Sequence, residues 1–196
     1  LEDVYDRVLI GSLAVPDQNG PIFSAHSQVA GIILAAGGSE RLGQPKQLLS
    51  WEEEPFVVHV AKATLDAGLS PVIVVTGSDH ELIELALAGL PVSCVYNPRW
   101  VEGQSTSLRV GIEALPKNCD RAMFLLSDQP QISPLLIRQL VEQHNKNRME
   151  ITAPMTRERR GNPVLFGRET FEFLKAISGD QGGRAAFRAF KVNDLP

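Results

Sequence analysis

Cysteine is nearly absent from this chain: two thiols in 196 residues, Cys94 in an apolar run and Cys119 in a turn, with no Cys-x-x-Cys and no Cys/His cluster. That scarcity argues against a disulfide framework or a zinc site, and reduced thiols in a cytoplasmic protein are the expectation. No apolar run reaches the roughly 18 residues that span a bilayer, and the basic-then-apolar order of a signal peptide is missing, so no membrane partner is expected. Positive charge is not in excess either. With 19 Lys and Arg against 23 Asp and Glu, the net charge of −4 argues against a general nucleic-acid binder. Any cations that hold phosphate must therefore be local. The four histidines, His26, His59, His80 and His144, are scattered beside no nucleophile motif and are assigned no chemistry.

The chain does carry enough apolar residue, 43%, to close a core. At this length one domain buries roughly 70% of its unfolded surface. Residues 1–28 hold Pro16, Gly20 and Pro21 without sustained periodicity and read as a linker or the tail of a preceding segment, although Val4 to Leu13 could form a short docking element. From residue 29 onward strands and helices alternate. Apolar runs at 29–35, 71–77, 92–96 and 121–127 are the strands, and helices are expected at 55–67, 79–88 (capped by Asp79), 105–115 and 134–146. A strand at 151–155, a hairpin partner at 163–166 and helices near 168–176 and 182–190 complete the reading. Such alternation predicts a doubly wound α/β sheet, mostly parallel, with ligands at the carboxyl ends of its strands.

The richest segment is VAGIILAAGGSERLGQPKQLL, residues 29–49. A buried strand runs into Ala36, Gly37, Gly38 and Ser39, whose small side chains let backbone N–H groups approach phosphate oxygens. Arg41 and Lys46 add fixed positive charge. The loop is not a Walker loop, because Lys46 is followed by Gln47 rather than Ser or Thr, and no GxGxxG fingerprint is present.

Three further motifs carry polar groups. In LLSDQPQIS, residues 125–133, Asp128 ends a buried strand, where it either opens a turn or serves as a magnesium ligand alongside substrate oxygens. In EGQSTSLRVG, residues 102–111, Gly103, Gln104, Ser105 and Ser107 can donate to a nucleotide at a helix N-terminus, or Ser105 or Thr106 is a simple cap. TRERRGNPVLF, residues 156–166, gathers three arginines, either as a solvated run or as a flexible loop for an acidic second substrate.

LAAGGSERLGQPKQLL resembles the signature loop of the MobA-like nucleotidyltransferases, most of all the branch that contains molybdenum cofactor cytidylyltransferase. The likeness extends over residues 29–196 and implies a three-layer α/β/α Rossmann-like nucleotidyltransferase domain. It implies that Leu34, Ala35, Ala36, Gly37, Gly38, Ser39, Arg41, Lys46, Gly103, Gln104, Ser105 and Ser107 meet the nucleotide. Arg41, Lys46 and Asp128 would be catalytic, with Asp128 holding Mg2+. Arg160, Gly161, Asn162, Asp180 and Arg184 would meet the second substrate, Asn162 standing where relatives often have histidine and GDQGGR, residues 179–184, resembling Gly-Asp-X-Gly-Ala-Arg. The implied partners are CTP or GTP, molybdopterin and a recipient molybdoenzyme. Leu-Ala-Ala-Gly at 34–37 favours CTP, since guanylyltransferases tend to have Leu-Ala-Gly-Gly. Similar proteins continue into Asp-Ile-Asp-Thr-Pro, whereas this chain stops at Asn193-Asp194-Leu195-Pro196, so a truncated C-terminus is expected. A cofactor-binding chaperone without turnover is the alternative from another class.

Overall fold

A computed structural model describes residues 28–39, 43–147, 149–156 and 158–196. The expected linker at 1–28 lies, but for Gln28, outside the described residues. In chain order the first half comprises β1 (Val29–Ala35), β2 (Ser50–Trp51), β3 (Glu54–Pro55), α1 (Phe56–Asp66), β4 (Val72–Thr76), α2 (His80–Ala86), β5 (Ser93–Tyr96) and α3 (Gln104–Glu113). The second half comprises β6 (Arg121–Leu126), α4 (Pro134–Asn147), β7 (Ile151–Thr156), β8 (Arg159–Arg160), β9 (Val164–Gly167), α5 (Phe171–Ala176) and β10 (Val192–Leu195).

Strand β1 is buried at all seven positions because it lies inside the sheet, parallel to β4 on one side and to β6 on the other. The order β10-β7-β9-β6-β1-β4-β5 is mostly parallel, and β9 runs antiparallel between β6 and β7. Side chains alternate between the two faces of a strand, so successive β1 residues enter different cores. Ile33 belongs to one core with Val57 and Val60 of α1, Ile83 of α2 and Leu140 of α4, whereas Ile32 and Leu34 belong to the other with Leu108 of α3 and Leu174 of α5. This is the expected three-layer α/β/α arrangement. Each fully buried Ile or Leu contributes about 1.5–3 kcal/mol.

Several local expectations change. Asp79 sits at the start of α2, but its carboxylate accepts a hydrogen bond from the Ser78 hydroxyl at 2.5 Å and makes no cap bond to the helix. The segment near 182–190 is a 3-10 turn over Gly183–Arg188 rather than a helix. Strands β8 and β10 were not foreseen; β8 turns part of the expected flexible arginine loop into an antiparallel pair with β7, and β10 makes the chain's end a sheet edge. Ser133 caps α4, its Oγ accepting the Leu136 N–H at 3.2 Å. Among the described residues, no helix is long and apolar enough to cross a membrane.

His144 of α4 is 6% exposed and faces Thr152 Oγ1 at 3.0 Å. Burial, with the nearby Arg121 guanidinium adding to it, pushes its pKa from 6.5 down to about 4. The folded ring therefore refuses a proton that the unfolded chain accepts. Stability from this group is full above pH 6.5 and is lost as pH falls toward 4, by about 3 kcal/mol. Urea midpoints at pH 7 and pH 4.5 should fall further apart in the parent than in His144→Gln.

Candidate active site

The loop leaving β1 is braced from below by the 3-10 turn Lys46–Leu48. Lys46 donates its backbone N–H to Ser39 Oγ at 2.9 Å, and its Nζ reaches Asp128 Oδ2 at 2.7 Å. Asp128 follows β6, and the neighbouring Ser127 N–H donates to Leu34 O at 3.2 Å, which keeps the ends of β1 and β6 together. Both charged side chains remain open to solvent, at 44% and 36% exposure, so they face a cavity rather than a core.

That cavity has a volume of about 500 Å³. Eleven residues singled out in the sequence line it: Leu34, Ala36, Gly37, Gly38, Ser39, Lys46, Gly103, Gln104, Ser107, Asp128 and, from the expected second-substrate set, Asp180. Ala35 and Ser105 do not. Ala35 is fully buried with its carbonyl turned to Gln47, and Ser105 is buried with its N–H donated to Gly179 O at 3.1 Å. Arg41 lies outside the described residues.

The third wall is the start of α3, whose preceding residue Gly103 has φ +111° and is packed tightly on Gly179. The hydroxyls near this end are held by Asn97, which is buried and donates Nδ2 to Thr106 Oγ1 at 2.8 Å and to Ser107 Oγ at 3.0 Å. No side chain caps the helix, contrary to the Ser105 or Thr106 alternative. Arg109, one turn on, is structural: its Nε donates to Lys175 O at 2.9 Å and ties α3 to α5.

A second cavity of about 360 Å³ adjoins the first. Leu34, Gln104, Leu126 and Asp180 line both. Its floor is apolar, built on Leu108, Val164 and the edge-to-face pair Phe124–Phe166 with centroids 5.6 Å apart. Asn162, Asp180 and Arg184 supply its polar groups. Arg160 and Gly161 are not among the lining residues. The Arg160 guanidinium instead makes a two-pronged ion pair with Asp194 of β10, Nε to Oδ1 at 2.6 Å and Nη2 to Oδ2 at 3.0 Å, and sits 5.3 Å from the Phe187 ring centre. Both partners are about one-third exposed, so the pair contributes on the order of 1 kcal/mol.

Sequence reading missed Trp100, Gln47 and the aromatic floor. Trp100 packs edge-on against Gly38, where a Cβ would lie 2.8 Å from its ring carbons, and it lines the larger cavity. A large aromatic in the polar loop before Gly103 was the available signal. Among the described residues, no three His, Cys, Asp or Glu side chains gather into a metal cage. The donor set suits a hard cation that takes one or two carboxylates and completes its shell with phosphate and water oxygens.

Fold and site together define a nucleotidyltransferase. Residues 31–194 match the MobA-like NTP transferase domain, and the chain belongs to that family. The nicotine blue oxidoreductase of Paenarthrobacter nicotinovorans is 30% identical over 82% of this chain and 81% of that protein. A probable molybdenum cofactor guanylyltransferase of Bacillus mycoides is 28% identical over 71% and 67% respectively. Among solved structures, Rv0371c of Mycobacterium tuberculosis H37Rv superposes with TM-score 0.76 at 27% identity, covering 86% of this chain and 87% of that one, and it has also been solved in complex with manganese.

Proposed function

We propose that this protein transfers CMP from CTP to the terminal phosphate of molybdopterin, releasing pyrophosphate, with magnesium held at Asp128. The observation that carries this reading is the Lys46–Asp128 pair under the glycine loop, next to a second cavity with an aromatic floor. A phosphate oxygen of the acceptor attacks the α-phosphorus; the new P–O bond forms as the bond to the bridging oxygen breaks, and pyrophosphate carries away the electron pair. No protein nucleophile is needed, because such transfers depend on positioning and on neutralising charge.

Each residue then has a task. Lys46 leaves Asp128 for the α-phosphate region, the loop N–H groups and Arg41 hold the triphosphate tail, and Ser107 and Gln104 contact the nucleotide. Magnesium, bound by Asp128, would draw charge from the phosphate oxygens. The apolar floor and Arg184 suit an acceptor with a flat ring and an anionic tail. The recipient would be a molybdoenzyme in the cytoplasm, with no role for nucleic acid.

The methyl of Ala36, at the cavity wall, supports the smaller pyrimidine base. GTP is the rival, and the name of the Bacillus mycoides relative favours it. Incubation with molybdopterin, magnesium and each of CTP, GTP, ATP and UTP should release pyrophosphate fastest with CTP, by at least about tenfold. Release with GTP alone would replace the base assignment. Binding without release from any nucleotide would leave a carrier or chaperone, and a redox reaction of nicotine blue in place of release would align the chain with its relative named as an oxidoreductase.

A further inference from the structure

Gln47 is 5% exposed although it follows Lys46 in a short turn at the surface. Its amide explains the burial. The single Nε2 atom donates to Ala35 O at 3.1 Å and to Gly37 O at 2.6 Å, while Oε1 accepts from the Ser39 hydroxyl at 3.4 Å. The same Ser39 oxygen accepts the Lys46 N–H, so one side chain links the glycine loop to the turn that carries the lysine.

The neighbouring carbonyls are also taken. Leu34 O accepts from Ser127 N–H at 3.2 Å and Ala36 O from Ser78 N–H at 3.4 Å. Every carbonyl from Leu34 to Gly37 is therefore anchored to protein. In a trans peptide the C=O and the following N–H point in opposite directions, and the peptides here are trans. Because the carbonyls of Ala35 and Gly37 converge on one nitrogen, the N–H groups of Ala36 and Gly38 are turned away from it. Ala36, Gly37 and Gly38 line the larger cavity, and among the described residues no turn or loop hydrogen bond consumes the N–H of Gly37, Gly38 or Ser39. A glycine pair left unanchored has easy access to flipped peptides, and a flip would present a carbonyl oxygen to the ligand. Donors attract an anion, whereas acceptors repel it.

We propose that Gln47 is a positioning residue for the triphosphate, which fixes the polarity of the loop peptides and couples it to the placement of Lys46. The role rests on reading the larger cavity as a triphosphate site. Gln47 acts through the backbone of residues 35–38, so its loss should be felt by phosphate and not by the acceptor.

The test compares the full chain with Gln47→Met, and with Gln47→Glu, which keeps the size but removes the donor. Calorimetry with magnesium and either CTP, GTP or inorganic pyrophosphate, joined to steady-state kinetics, supplies the readouts. Either variant should weaken pyrophosphate and nucleotide affinity by about tenfold and raise the nucleotide KM accordingly, as expected for the loss of two hydrogen bonds. The acceptor KM should stay within about twofold. Unchanged nucleotide affinity would overturn the role, and so would equal losses for nucleotide and acceptor, which would make Gln47 part of the general framework. Failure of the parent itself to bind nucleotide or pyrophosphate would instead remove the triphosphate reading beneath it.

Discussion

Asp128→Asn is expected to lower pyrophosphate release by roughly a thousandfold, equivalent to about 4 kcal/mol of transition-state stabilisation. Its fold should survive. The carboxylate lies at the carboxyl end of β6, in the cavity shared with the glycine loop, and its recorded partner is the Lys46 ammonium at 2.7 Å. With the two side chains 44% and 36% exposed, the ion pair contributes at most about 1 kcal/mol, so the thermal midpoint should move by no more than about 3 °C. Activity and stability therefore separate in this variant. Titration with manganese gives an independent readout: affinity should fall in Asp128→Asn and should not fall in Lys46→Met, where a competing cation has been removed. Turnover within threefold of the parent would take Asp128 out of the metal role.

The second large effect is expected from Gly103→Ala. At φ +111° and ψ 170° the backbone lies in a region that only glycine enters at low cost. An added Cβ would come within 2.4 Å of Gly179 C and 2.5 Å of its oxygen, and neither is the movable end of a side chain. Strain and overlap together should cost about 2–4 kcal/mol. For a chain of this size that corresponds to roughly 8 °C in thermal midpoint. The displaced segment would also break the hydrogen bond from Ser105 N–H to Gly179 O, loosening the boundary between the cavities. Gly179→Ala is the control. Its φ is +66°, but nothing lies within 4 Å of the added carbon, so about 1 kcal/mol is expected. Equal midpoints for the two variants would show that the seam yields without cost.

The strands and helices that place the site were legible because their signals are local. Val29 to Ala35, apolar and β-branched, reads as a strand buried on both faces, and the alternation that follows it requires crossovers. Lys46 and Asp128 were legible as types of residue at the ends of elements. What the sequence hid was non-local. Val192–Leu195 is too short and polar to read as a strand until β7 offers its edge, and Arg160 resembles a solvated charge until Asp194, thirty-four positions on, closes on it. Gln47 gave no signal at all, since its burial depends on two carbonyls ten and twelve residues earlier. Asp79 misled in the opposite sense: a residue with the right preference for a cap was drawn instead to the hydroxyl beside it.

Beside Gln104 and Asp180, which line both cavities, main chain meets main chain at Gly103 and Gly179. A contact of this kind carries no side chain of its own for mutation to adjust. On the proposed function, the backbone there holds the span between nucleotide and acceptor, while Asn162 and Arg184 on one side and Ala36 and Trp100 on the other are free to change. Descendants of such a scaffold can exchange either reactant without relearning how to bring the two together.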